Sequence, residues 1–246
     1  MEGKAYIHFF DELNDFLTNS MRDNRVIYLF KDTPSIKHVI EALGVPHTEV
    51  GRIVINGLDV GFDYPVKNED NVQVFPISFL LFASLSYPKY VLDNHLGKLA
   101  TYLRILGFDT LYDTKYNDDE LAEISQNSNR ILLTRDRRLL MRSVITRGYW
   151  VRALEPKQQL FEVIKRYQLS NRINPFRRCL RCNSYLEAIK KEEIIQRLEP
   201  LTRKYYNEFS ICRNCNRLYW KGSHYEHMNK MITELKQMNL WRTCDE

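Results

Sequence analysis

The sequence predicts an α/β chain in three parts: a small module of strands around one helix, a parallel α/β body, and a metal-folded C-terminal module. Three observations predict it. Residues 1–77 read as two strands, a helix and further strands, with a hairpin turn at Asn56-Gly57. From residue 89 short apolar strands alternate with helices over short connections, the pattern of a parallel sheet wound right-handed. Four cysteines form two Cys-x-x-Cys pairs, Cys179 with Cys182 and Cys212 with Cys215, with 29 residues between the pairs.

In the first part, residues 4–10 and 25–30 read as strands. Thr33 is expected to cap a helix with Pro34 at its first position and Ile36, Val39, Ile40 and Leu43 as its apolar stripe. Gly44 stops it. Residues 52–55 and 71–75 are the later strands. This order within about 75 residues suggests a β-grasp, ubiquitin-like module, another small α+β domain being the alternative. The module ends Phe75-Pro76-Ile77 and not in Gly-Gly, so it reads as a docking module with a protein partner of its own. Residues 78–88 read as a linker that packs on a neighbour.

In the body, residues 90–92 form a short apolar strand ending at Asp93. Leu96, Leu99, Ala100 and Leu103 make one face of the next helix, which stops at Gly107. Residues 110–112 are a second strand, and Asp118 can cap a helix carrying Leu121 and Ile124. Residues 130–134 are a third strand, ending at Asp136; residues 148–151 are a fourth, and residues 158–167 a last helix. In an open parallel sheet the crevice lies outside the carboxyl ends of the strands. Asp93, Asp136 and an acid from Asp118, Asp119 or Glu120 can therefore converge on one edge. Converging carboxylates repel one another unless they hold a cation, and hard oxygen ligands suit Mg2+ or Mn2+. Such an ion positions a water and neutralises a phosphodiester during hydrolysis. The alternative is that each acid only caps a helix. Lys98, Arg104 and Arg135 are the cations placed to grip phosphate oxygens.

The paired cysteines have the spacing of a closed four-thiolate zinc site, with no open position for a water. Arginines flank both pairs, and Tyr205, Tyr206, Tyr219, Trp220 and Tyr225 follow. Those rings either stack on unpaired bases or fill the core of a small module.

Charge separates the parts. Residues 1–77 hold 7 basic and 12 acidic side chains, residues 78–170 hold 14 and 10, and residues 171–246 hold 15 and 9. A basic C-terminal two-thirds favours a polyanionic partner such as nucleic acid, solubility being the plainer reading. The longest apolar stretch, residues 79–85, is too short to span a bilayer. No secretory pattern opens the chain, and four of five cysteines have metal spacing. A reducing, cytoplasmic setting without membrane attachment is expected, with Cys244 as a free thiol.

Residues 91–100 (Val-Leu-Asp-Asn-His-Leu-Gly-Lys-Leu-Ala), 103–110 (Leu-Arg-Ile-Leu-Gly-Phe-Asp-Thr) and 133–137 (Leu-Thr-Arg-Asp-Arg) resemble the mut-seven C-terminal RNase domain, a PIN-like ribonuclease domain. The likeness runs on through the cysteine pairs and residues 219–224, Tyr-Trp-Lys-Gly-Ser-His, to about residue 230. It implies a metal-dependent RNase fold with a zinc ribbon, and members with a ubiquitin-like domain in front fit residues 1–77. On this resemblance Asp93 and Asp136 match the family's acidic strand-end residues, and Asp118, with Asp119 as runner-up, matches the acid opening the second helix. The expected layout is a ubiquitin-like domain at 1–77, a linker at 78–88, a nuclease domain at 89–170 and a zinc ribbon with its tail at 171–246. The expected function is hydrolysis of RNA phosphodiesters. The alternative is a non-catalytic RNA-binding or adaptor protein that uses the zinc ribbon.

Overall fold

The structure, a computed structural model, describes residues 3–77 and 87–240. Most of the expected linker, the apolar stretch 79–85 and Cys244 lie outside the described residues. The strands are β1 (Gly3–Phe9), β2 (Val26–Phe30), β3 (Val50–Ile55), β4 (Leu58–Val60), β5 (Asn71–Pro76), β6 (Lys89–Leu92), β7 (Asp109–Leu111), β8 (Ile131–Thr134), β9 (Gly148–Trp150), β10 (Glu187–Ile189), β11 (Phe209–Ile211) and β12 (Leu218–Trp220). The helices are α1 (Ile36–Ala42), α2 (Gly97–Ile105), α3 (Asp118–Asn127), α4 (Arg137–Leu140), α5 (Pro156–Arg166), α6 (Lys191–Ile194), α7 (Pro200–Tyr205) and α8 (Ser223–Leu240). The chain divides into two compact units: Met1–Leu85 with Asn117–Val151, and Ser86–Tyr116 with Arg152–Glu246.

The first unit opens with a five-stranded mixed sheet in the order β2-β1-β5-β3-β4. β1 pairs antiparallel with β2 and parallel with β5, with Ile7 opposite Val72. Alternation along β1 buries Ala5, Ile7 and Phe9, and these pack with Val72, Val74 and the α1 residues Ile36, Val39 and Ile40. One helix on one face of such a sheet is the ubiquitin-like arrangement. The hairpin turn forms as expected, with Asn56 at φ 52° and Gly57 at φ 86°. The helix cap is Ser35 and not Thr33; its Oγ accepts the His38 N–H. Val66 N–H donates to Pro34 O and Ile36 N–H to Tyr64 O, so the chain is held extended through Ser35 and the helix starts at Ile36.

The same unit contains α3, β8, α4 and β9, with β8 parallel to β9 and Leu133 opposite Tyr149. The ubiquitin-like part packs on this segment through specific contacts. The Arg137 guanidinium lies 3.8 Å from the centre of the Trp150 ring and donates to the Phe16 and Asp15 carbonyls. Glu49, fully buried, accepts the Trp150 N–H at 2.8 Å, and His47 bridges Glu41 Oε1 and the Ile145 carbonyl.

In the second unit β6 runs parallel to β7, with Tyr90 opposite Thr110, and α2 packs on α5. Tyr90 is buried against Tyr167 and Phe108. The C-terminal module is a three-stranded antiparallel sheet in the order β10-β11-β12, with Ile194, Leu198 and Phe209 as its core. α8 follows it, a helix of 18 residues where the sequence predicts only a tail. No described helix is long and apolar enough to cross a membrane.

Candidate functional site

Cys179, Cys182, Cys212 and Cys215 bring four sulfurs within 4.8 Å of one another. The closest pairs are Cys179 with Cys215 at 3.4 Å and Cys182 with Cys212 at 3.3 Å. Four thiolates around zinc at about 2.3 Å require sulfurs about 3.8 Å apart, so this donor set fits a tetrahedral Zn2+. Each pair is a tight knuckle of one design. Cys179 N–H donates to Ser184 O and Asn183 N–H to Cys179 O; Cys212 N–H donates to Arg217 O and Asn216 N–H to Cys212 O. Asn183 and Asn216 take left-handed backbone at φ 68° and φ 57°, a conformation asparagine tolerates.

The thiols divide by environment. Burial raises Cys182, but hydrogen bonds from the Ser184 side chain and main chain, and from Asn214, outweigh it and bring it down to about 5. Burial pushes Cys212 up to about 12 and raises Cys215 as well. Tyr219 Oη accepts the Leu180 N–H and lies 3.1 Å from Cys179 Sγ. Burial and that sulfur raise the phenol, so it keeps its proton for the sulfur.

The first knuckle is anchored to the end of α2 and the start of β7. Arg104, 4 % exposed, donates to the carbonyls of Thr110, Leu180 and Arg181. Its guanidinium is spent on main-chain oxygens inside the fold, so the expected phosphate contact at Arg104 is corrected to a structural clamp. Asn183 accepts the Thr110 N–H and donates to Asp109 Oδ1, and Arg178 donates to the Gly107 and Asn183 carbonyls. Among these, Asn183 is the residue the sequence analysis does not single out. The twice-repeated Cys-x-x-Cys-Asn was the signal that could have found the asparagine.

The acids sit on the two units separately. In the second unit Asp93 closes β6, 5 % exposed, and its Oδ1 accepts the His95 N–H at 2.8 Å. Lys98 is exposed on the first turn of α2. In the first unit Asp136 closes β8, exposed, with Oδ1 accepting the Arg138 N–H and its own N–H donating to Thr134 Oγ1. Arg135, half-buried, stands between that threonine and Asp136. Asp118 and Asp119 open α3, but the cap is Asn117, in a capping box with Glu120. This corrects the expectation that Asp118 caps the helix: asparagine one residue earlier accepts the Glu120 N–H first. Asp119 is paired with Arg142, while Asp118 lies 4.0 Å from the same guanidinium. Among the described residues, the cysteine quartet is the group of three or more ligands close enough to share a metal.

Comparison with known proteins matches residues 88–232 to the family model described as the Mut7-C RNAse domain. Residues 3–80 match the one described as Mut7-C ubiquitin. No curated protein matches the chain. Among solved structures it is similar to the solution structure of the Haloferax volcanii HVO 2177 protein, at 17% identity and a TM-score of 0.26, over 31% of this chain and 85% of that one.

Proposed function

The chain belongs to the Mut7-C RNAse domain family, with a Mut7-C ubiquitin domain in front, and we propose that it is a metal-dependent ribonuclease. The observation that supports this reading is local: Asp93 is the first residue and Asp136 the second past a parallel strand. That is where open α/β sheets place their chemistry. Asp93, Asp136 and Asp118 would hold Mg2+ or Mn2+, which when bound supplies charge neutralisation and an activated water for phosphodiester hydrolysis. Asp118 is the better middle acid because Asp119 is engaged by Arg142. Lys98 and Arg135 bring positive charge to the nonbridging oxygens. The layout that goes with this reading is a ubiquitin-like domain at 1–77, a nuclease domain at 89–170 and a zinc ribbon from 171. The ribbon's cysteines hold Zn2+ for structure, since four sulfurs leave no open position.

The test is cleavage of single-stranded RNA in Mg2+ or Mn2+. Asp93→Asn and Asp136→Asn are each expected to lower the rate by a hundredfold or more, with zinc content unchanged. Equal rates in the variants would sink the catalytic reading.

One observation favours a second reading. Both strand-end acids are also N-caps, of the turn at Asn94–Leu96 and of α4, which is what a purely structural aspartate does. In that case the protein is an RNA-binding adaptor. RNA binding that survives while the wild type cleaves under no metal would support it.

A further inference from the structure

The zinc module contains a cavity of about 410 Å3 between its sheet and the first turns of α8. Phe176, Leu180, Tyr219, Trp220, Tyr225 and Met228 supply its apolar walls. The Phe176 and Tyr225 rings lie 4.4 Å apart and tilted by 35°. Trp220 is 41 % exposed. A Cβ at Gly222 would stand 3.0 Å from its Nε1, so glycine lets the chain fold back over the indole. The hydroxyl of Tyr219 is occupied at Cys179 and Leu180, which leaves that residue's ring as its contribution to the wall. Asn207 and Ser210 add hydrogen-bonding groups, and Lys221 is exposed beside Trp220, paired with Glu208.

Cavities of this size hold a small, largely apolar ligand. Aromatic walls with a few polar groups suit a flat heterocycle better than an aliphatic chain. The surroundings choose among flat ligands. Residues 171–246 carry 15 basic and 9 acidic side chains, so an anionic strand is favoured over a neutral or cationic molecule. We propose that this cavity receives one unpaired base of single-stranded RNA. The base stacks against Trp220, and Lys221 exchanges its Glu208 partner for the adjoining phosphate. The proposal rests on the reading of RNA as substrate but not on cleavage.

The experiment uses the full, zinc-loaded chain carrying Asp136→Asn, so that the probe stays intact. Fluorescence anisotropy compares a labelled oligoadenylate with an abasic ribose-phosphate chain of equal length and charge. The base-bearing strand is expected to bind about tenfold tighter, the size of one base–aromatic stack. Trp220→Ala and, on the opposite wall, Tyr225→Ala should reduce that ratio to within twofold, and Trp220→Phe should keep most of it. An equal affinity for both strands in the Asp136→Asn protein overturns the proposal without any pocket variant having to fold. So does an unchanged ratio in the Trp220→Ala and Tyr225→Ala proteins, or preferential binding of an apolar peptide that RNA does not displace. The failures are separable. Base-dependent binding with no cleavage by the wild type removes only the nuclease reading, and cleavage with base-independent binding removes only the pocket.

Discussion

Cys212, at about 12, and Cys215, also raised, hold their protons at neutral pH, and zinc takes thiolates. Loading the site must therefore expel two or more protons per ion, and affinity must rise with pH. Calorimetry in buffers of different ionisation enthalpy should count them; a count near zero would contradict the four-thiolate assignment. Tyr219→Phe removes the hydroxyl beside Cys179 and should weaken zinc about tenfold, as outer-shell losses do. Arg104 makes the same point from the other side. Its charge near the strand-end acids makes it a candidate phosphate grip, yet it is buried on main-chain carbonyls. Arg104→Ala leaves those oxygens without their donor and should cost about 3 kcal/mol in denaturant unfolding. A cost below about 1 kcal/mol would mean that the clamp is idle. Residue type and spacing made the ligands legible, because a sulfur at Cys-x-x-Cys spacing has few other uses. They did not reveal that Arg104 also holds the Leu180 and Arg181 carbonyls, 76 and 77 residues away.

Elements were legible where periodicity and punctuation agree. Residues 4–10 and 71–75 read as strands and form β1 and β5, Asn56-Gly57 marks the β3-β4 turn, and Cys-x-x-Cys marks both knuckles. Caps were less legible. Thr33 and Ser35 are both acceptable cap residues, and the choice is made by Tyr64 and Val66, which hold the chain extended through Ser35. Asp118 lost its place to Asn117 by one position for a related reason: Glu120 completes a capping box only from three residues back. The contact of α4 with the turn at Asp11–Phe16 had no local signal at all, since Arg137 reaches 121 and 122 residues back to Phe16 and Asp15. Arg137→Ala removes two hydrogen bonds and a ring contact there. It should lower stability by about 2–3 kcal/mol in denaturant unfolding. Arg137→Lys, which cannot fork to two carbonyls, should recover less than half of that.

On the scale of the whole chain, composition divided the molecule at residue 77, where acidic gives way to basic. The compact units divide it differently, joining residues 117–151 to the ubiquitin-like part. Charge counts cannot see this, because it depends on Trp150, Glu49, His47 and Arg137 meeting across about a hundred residues of sequence. Removing residues 1–77 would uncover Trp150, take the Phe16 and Asp15 carbonyls from Arg137, and take His47 from the Ile145 carbonyl. The truncated chain should melt several degrees lower and aggregate more readily than the full chain. An unchanged melting temperature would mean that the ubiquitin-like part is an independent appendage. The central claim concerns Asp93 and Asp136, which the sequence marked as the ends of two parallel strands. The most direct measurement is the number of Mn2+ ions held per zinc-loaded chain, read by electron paramagnetic resonance. One tightly held ion in the wild type, lost in both Asp93→Asn and Asp136→Asn while zinc stays bound, is the predicted result. No stoichiometric Mn2+, or an ion indifferent to both substitutions, would contradict it.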